Sequence, residues 1–496
     1  MRQQIKCGFI VRTTGILLAI TISLIISSCE DFLEDVDPSA ALPVDDGFSN
    51  LNDLELFLGG TYRALIGFGG DLFWVVLPDL MTIDVTTISS PCPNPRQYDF
   101  NELTADNGFL QAAWSRAYET INQTNVLLEK VDQLSSDGII TTEDARRLAG
   151  EAHFLRAFAN FQLVRLFAKP IDQGNGGELA VPLPLSGVTA ASELENLPRA
   201  TVSELYAQII IDFERASSLL QGSSLISGRA NEWAAIAFLA EVAFQQGDYA
   251  GAFNHTRTLI DADVFGLVSS PEEYFNQAGT REEVWSITHT NQEPNGLLGL
   301  TLGTSCNSVM LPGDLYARAF DLIVTTGQKE VLSGNGWSVV DLRYTHLTNA
   351  QPENWRSLKY SSPDESDNVP AMRYAEIVLM HAECLARIND ISGSVQYLNM
   401  IRARALEVYD ENESLLSDDV ILFAPEDFES GEELIEAIIL ERQVELLLEG
   451  NRFHDLMRLQ RDVNGIPYDD CRLRWPIPQG ELDANPNISQ DYPGDC

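Results

Sequence analysis

Leu434–Arg461 reads LIEAIILERQVELLLEGNRFHDLMRLQR. Ile435, Ile438, Ile439, Leu446 and Leu447 recur at helical spacing. Leu440, Val444 and Leu448 fill the other side, so the pattern predicts a helix buried on most of its surface. Gly450-Asn451 is expected to end it, because both residues tolerate the left-handed cap. A second helix with Phe453, Leu456 and Met457 on one face would complete an α-hairpin. Glu441, Glu445 and Glu449 stand four residues apart and would repel one another unless cations intervene. Arg442, Arg452 and Arg458 are the partners at hand, and the guanidinium fork suits carboxylates. The cluster therefore reads as a structural ion-pair network rather than a set of catalytic acids.

More helix pairs lie upstream. Leu110–Gln133 carries Trp114, Tyr118, Ile121, Asn125 and Leu128 at helical spacing. Thr142 opens the next helix, with Glu143 and Asp144 favourable in its first turn, and it runs to Phe167 before Pro170. Further helices are expected at Leu51–Tyr62, stopped by Gly59-Gly60, from Thr201 or Ser203 as cap, and over Asn231–Gln246. Ala240-Glu241 precedes Gly247-Asp248 by the same spacing that Ala382-Glu383 precedes Asn389-Asp390. Each turn is followed by a second helix, Tyr249–Ile260 and Ser392–Arg404. Small residues at the crossing are what tetratricopeptide-like repeats need to stack. The expected fold is all-α dominated: a stack of helix hairpins with little β.

Residues 263–370 differ, being rich in Gly, Ser, Asn and Pro around one strand-like segment, Val284-Trp285-Ser286-Ile287-Thr288. This reads as an irregular, loop-rich lobe inserted into a helical scaffold, where functional residues concentrate. Helical hairpins resume at 371–461 and a tail follows at 462–496. Glu407–Glu433 is strongly acidic and reads as a solvated loop, with a calcium site as the lesser reading.

Thirty-two basic side chains face seventy-three acidic ones, a net charge of −41. That balance argues against a nucleic-acid partner, which needs clustered Lys and Arg. An acidic, lysine-poor surface suits high salt, which screens self-repulsion. The first 28 residues read as a signal peptide: Arg2, Lys6 and Arg12, then the apolar run Gly15–Ile26, too short to span a bilayer comfortably. Ile26-Ser27-Ser28-Cys29 has the form of a lipoprotein cleavage box, making Cys29 the expected lipidation site and 29–50 an acidic tether. Of the remaining cysteines, Cys384 is expected as a buried thiol, and Cys471–Cys496 and Cys92–Cys306 as disulfides. No C-x-x-C pair suggests zinc, and no cofactor motif is present.

No nucleophile elbow, zincin motif, P-loop or EF-hand occurs, and the six histidines are scattered. His153 and His381 lie on predicted helices and read as satisfied side chains. The loops offer rings beside amides and guanidinium groups instead. Trp74, Arg96 and Tyr98 in the first irregular region, and Asn295, Trp337 and Trp355 in the second, are the candidate ligand contacts. Sugars lay apolar CH faces on rings while their hydroxyls bond amides. Trp114, Trp233, Trp285 and Trp475 read as core.

Several motifs resemble the SusD/RagB family of Bacteroidetes outer-membrane lipoproteins. These are Glu441-Arg442, Glu445-Leu446, Glu449-Gly450, Arg452, Asp455-Leu456 and Arg458 in the hairpin, and Gly150-Glu151-Ala152 with Phe154-Leu155-Arg156-Ala157 upstream. Asp341-x-Arg343, Lys359-Tyr360, Arg373-x-Ala375-Glu376 and the tail Trp475-Pro476-Ile477-Pro478 continue the pattern. Glu30-Asp31 resembles the family's surface-export tag. His153, where the family usually has Arg or a Lys-like residue, and the tail Asp491-Tyr492-Pro493-Gly494 depart from it. The resemblance implies a SusD-like part at 51–262 and a RagB/SusD part at 263–496. It also implies a surface lipoprotein that binds oligosaccharide without catalysis and passes it to a SusC-like TonB-dependent transporter. The alternatives are a peptide-binding RagB-like member and a glycoside hydrolase using acids of the 263–370 lobe.

Overall fold

The structure is a computed structural model. It describes residues 47–66, 77–82, 86–87, 97–98, 101–171, 176–294, 309–310, 338–348, 357–364, 366–416 and 422–490. The signal peptide, Cys29 and most of the tether lie outside these residues. The chain divides into two units, 1–53 and 54–496. In the first, Ser49 and Asn50 fold around Asp53, whose Oδ2 accepts from Ser49 N at 2.8 Å. The second unit carries everything that follows.

Fourteen α-helices are described: α1 Leu51–Ile66, α2 Leu77–Leu80, α3 Gly108–Ser136, α4 Thr142–Phe167, α5 Val202–Leu219, α6 Glu232–Gln245 and α7 Tyr249–Asp261, then α8 Pro271–Asn276, α9 Leu342–Leu347, α10 Tyr374–Arg387, α11 Ile391–Ala405, α12 Gly431–Glu445, α13 Arg452–Arg458 and α14 Gln479–Ala484. The eight short strands are β1 Thr86–Thr87, β2 Leu179–Pro182, β3 Arg199–Thr201, β4 Glu283–Ile287, β5 Val309–Met310, β6 Ser338–Asp341, β7 Val369–Arg373 and β8 Leu406–Tyr409. They form only two-stranded antiparallel pairs: β1–β5, β2–β3, β4–β7 and β6–β8. The all-α reading holds.

Consecutive helices pack as neighbours from α3 through α7, then α7 packs on α10, and α10 carries both α11 and α12. The stack thus continues across the intervening chain, and the lobe at 263–370 leaves between two adjacent members. The paired strands β4 and β7 tie the lobe's two ends together, with Ile287 opposite Val369.

The internal repeat is structural. Asp248 caps α7 and Asp390 caps α11, at φ −79°, ψ 72° and φ −84°, ψ 75°. Each carboxylate accepts from a glycine N–H three residues on, Gly251 at 2.9 Å and Gly393 at 3.0 Å. A Cβ on Gly251 would lie 2.3 Å from the Asp248 carboxylate, so the tight cap needs glycine there. The paired Glu241 and Glu383 are both buried and bound by Arg165 and by Arg387 with Arg458.

Aromatic rings close the centre. Trp285 on β4 meets Phe154 at 4.8 Å, Phe158 at 5.0 Å and Phe238 at 5.9 Å, joining α4 and α6 to the root of the lobe. Trp114 and Trp475 are also buried, while Trp233 is half-buried. The tail doubles back onto α4, where Trp475 N donates to Leu166 O at 2.9 Å.

Three boundaries differ from expectation. Gly59-Gly60 does not stop α1, which continues to Ile66; both glycines are exposed, so nothing is lost by leaving the helix intact there. α12 ends at Glu445 rather than at Gly450, because Leu448 already turns left-handed at φ 56°, ahead of Gly450 at φ 79°. Glu407–Glu433 is not simply a solvated loop: Leu406–Tyr409 forms β8, and Phe423 and Phe428 are buried edge to face at 5.0 Å. Cys384 is a buried free thiol pushed up to about 12 by burial. Cys471 is disulfide-bonded, and the expected partners Cys92, Cys306 and Cys496 lie outside the described residues.

Candidate functional site

The acids of α12 do form a buried ion network, but with other partners than expected. Arg343 donates to Asp341 at 2.7 Å, Glu441 at 2.6 Å and Glu445 at 3.1 Å. Arg373 reaches Glu282 at 2.7 Å, Glu445 at 2.8 Å and Glu449 at 2.6 Å. Arg404 bridges Glu282 and Glu445, Arg402 joins Glu441, and Lys359 joins Glu449. Five cations thus face five carboxylates, so this interior is neutral in sum. Arg442 and Arg458, expected beside Glu441 and Glu445, bind Asp455 at 2.8 Å each.

The physical consequence is positional. Glu282, Asp341, Arg343, Lys359 and Arg373 all come from the roots of the lobe; Arg402 and Arg404 come from α11. Glu441, Glu445 and Glu449 belong to α12 and the turn after it. The network is the joint that fixes the lobe to the helical frame. Burial would raise the Glu445 carboxyl, but Arg404, Arg373 and Arg343 outweigh it and hold it far below the usual range. Burial would lower Arg373, yet Glu449, Glu445 and Glu282 push it well above its ordinary value. Removing one partner would strand charges that have no water to return to.

His153 is likewise satisfied: its Nδ1 lies 2.7 Å from Asp212 Oδ1, and Arg156 donates to the same carboxylate at 2.7 and 2.9 Å. His381 Nδ1 lies 2.8 Å from Thr256 Oγ1, with its ring stacked on Phe253 at 4.9 Å.

Of the ligand contacts expected from sequence, Trp74, Arg96, Asn295, Trp337 and Trp355 lie outside the described residues. Tyr98 is a correction. Its side chain is 0% exposed and its ring meets Trp475 edge-on at 5.0 Å, so it plugs the core beneath the returning tail and offers no face to a ligand. Its position beside prolines suggested a surface loop; the tail that covers it comes from nearly 380 residues away.

Two concavities frame what the described surface can do. A 920 Å³ groove between α3, α4 and α5 is lined by aliphatic and polar side chains, including Leu128, Asp132, Gln208 and Glu214, without an aromatic ring. A smaller cleft of 230 Å³ lies in the lobe, between the end of α8 and the 362–368 loop, lined by Phe275, Asn276, Gln277, Ser362, Asp367 and Asn368. A ring beside amides is the pattern sought in the sequence, and Tyr274-Phe275-Asn276-Gln277 satisfies it. The segment was passed over because only Trp and Tyr were weighed as platforms. Among the described residues, no group of three or more His, Cys, Asp or Glu side chains is arranged to hold a metal ion.

With this geometry in hand, comparison with known proteins is direct. Residues 83–244 match the family model described as "Starch-binding associating with outer membrane", and residues 343–470 match the SusD family model. SusD-like protein P2 of Formosa agariphila is 26% identical over 96% of this chain and 98% of its own. SusD-like protein P38 of the same organism is 25% identical over 97% and 99%. A solved SusD superfamily protein from Bacteroides thetaiotaomicron shares the fold with TM-score 0.74, at 24% identity over 90% of this chain and all of its own. A SusD-like carbohydrate binding protein from Bacteroides vulgatus does so with TM-score 0.69, at 20% identity over 89% and 98%. The second family match spans Arg343, Arg373, Arg404 and the α12 acids, which are the residues that pin the lobe to the frame. The chain belongs to the SusD/RagB family.

Proposed function

We propose that this protein is a cell-surface binding lipoprotein, anchored through Cys29, that captures oligosaccharide and hands it to a SusC-like TonB-dependent transporter without altering it. The observation that carries this reading is the family match across both helical parts, 83–244 and 343–470. The architecture supports it: a rigid helical frame holds an irregular lobe through a buried joint, so ligand-bearing loops would sit on a fixed base. No described helix is long and apolar enough to cross a membrane, and a lipid on Cys29 would supply the attachment. Trp74, Arg96, Asn295, Trp337 and Trp355 are the proposed ligand contacts, while the acids Glu282 and Asp341 of the lobe are already committed to arginines.

Co-purification from outer membranes tests delivery. A TonB-dependent barrel retained by the tagged full chain, and lost with Cys29→Ala when the protein leaves the membrane, is the expected result. A chain that stays at the surface with no barrel attached would remove the transport half of the reading. Release of shorter sugars from a bound glycan would replace it with hydrolysis.

A further inference from the structure

The 230 Å³ cleft at the end of α8 has features the ion network does not use. Phe275 is half-buried and forms its wall. Behind that ring stands Lys359, with Nζ 4.9 Å from the ring centroid, and Lys359 is itself tied to Glu449 at 2.5 Å. Arg373, 5.9 Å from the same ring, is held by Glu282, Glu445 and Glu449. The ring is therefore fixed from within, and both nearby cations are spoken for. At the mouth, Asn276 and Gln277 are exposed. Neither amide takes part in a hydrogen bond with the described residues, so four polar groups stand ready for a ligand. Across the cleft, Asn368 Oδ1 accepts from His289 N at 3.3 Å, which orients that amide.

The charge of the cleft is one-sided. Asp367 and Glu283 line it, and no Lys or Arg does. Asp364 stands on the same loop as Asp367, its Oδ1 accepting from the hydroxyls of Ser362 at 2.7 Å and Ser366 at 2.6 Å. Burial, together with Asp364, pushes the Asp367 carboxyl up, against a bond from Ser362 N. A ligand sulfate or carboxylate would meet further carboxylates with no cation to offset them, and like charges at close quarters are a strong device against a wrong partner. In volume the cleft falls below the roughly 300–1,000 Å³ of sites for drug-sized ligands, room for one ring rather than a chain.

We propose that this cleft is a saccharide subsite for a single uncharged pyranose unit, its CH face against Phe275 and its hydroxyls on Asn276 and Gln277, and that it turns away sulfated and uronate sugars. The inference rests on the glycan-capture reading above and adds a place and a substrate class to it.

Titration calorimetry on the full chain in detergent tests it. The probes are gluco-, galacto-, manno- and xylo-hexaose, a sulfated galactan oligosaccharide and an oligouronate. The variant is Asn276→Ala/Gln277→Ala, which changes only exposed side chains; Phe275 is kept because its inner face belongs to the joint. At least one neutral hexaose should bind the parent, about tenfold or more tighter than the anionic probes. The double variant should lose about tenfold in affinity at unchanged Tm, and Asp367→Asn should narrow the gap between neutral and anionic probes. Equal affinity of parent and double variant for the neutral sugar would overturn the subsite and leave glycan capture standing. Tighter binding of the sulfated or uronate probe would overturn the substrate class. No binding of any probe would overturn both the subsite and the capture reading.

Discussion

Glu445 shows what the sequence made legible at the scale of single residues, and what it hid. Its spacing from Glu441 and Glu449 announced a need for cations, and the network exists. Its partners Arg343, Arg373 and Arg404 lie 41 to 102 residues away, where no local periodicity points. Local arginines were the wrong choice because Asp455 claims them. Glu445→Ala would leave three guanidinium groups short of a partner in a dry interior and should cost about 3–5 kcal/mol by urea unfolding. A loss under about 1 kcal/mol would show that the joint carries little of the fold. His381 gives a pH prediction. Burial, with Arg257 adding to it against Asp261, lowers its pKa from 6.5 to about 4. Between those values the unfolded chain binds a proton that the folded chain does not. This histidine's contribution is therefore present above pH 6.5 and lost as pH falls toward 4. His454 is buried with its pKa well below the ordinary value, and it adds a loss of the same sign. His381→Gln should flatten the fall in unfolding free energy between pH 7 and 5; equal slopes in parent and variant would refute the assignment.

Among the elements, the helix hairpins were readable because their apolar spacing and caps are local. Thr201 makes the full capping box with Glu204, and Thr142–Phe167 was placed to the residue. Helix ends were less legible where glycine misled. Gly59 and Gly60 sit inside α1 with open space where a Cβ would go. Gly59→Ala should therefore raise stability by roughly 0.5–1 kcal/mol, since alanine loses less backbone freedom on folding and meets nothing. A fall in Tm would mean this face is covered in the assembled protein. The end of α12 was misjudged for the opposite reason. Leu448 takes a positive φ that leucine rarely adopts, and it does so where Tyr360 OH donates to Leu448 O at 3.0 Å and Lys359 Nζ to Glu445 O at 3.0 Å. Tertiary bonds to the joint bend the chain before glycine can.

For the whole molecule, the order of hairpins, inserted lobe and returning tail was legible, because each part has its own composition. The ligand surface was not, because loop rings look alike in sequence whether they face solvent, as Phe275 partly does, or plug the core, as Tyr98 does. The charge balance also acts at this scale. The joint is neutral in sum, so the surplus behind the net charge of −41 is carried elsewhere. Screening that surplus should stabilise the fold, and Tm should rise from 0.1 to 2 M NaCl; a flat or falling curve would argue against adaptation to salt.

The most direct trial of the central claim, capture without chemistry, is to hold the full chain with a neutral oligosaccharide to equilibrium, measure the heat of binding, and weigh the sugar recovered afterwards by mass spectrometry. Saturable heat with every sugar returned at its starting mass is the predicted result. Shortened products, or no saturable heat with any glycan offered, would contradict it.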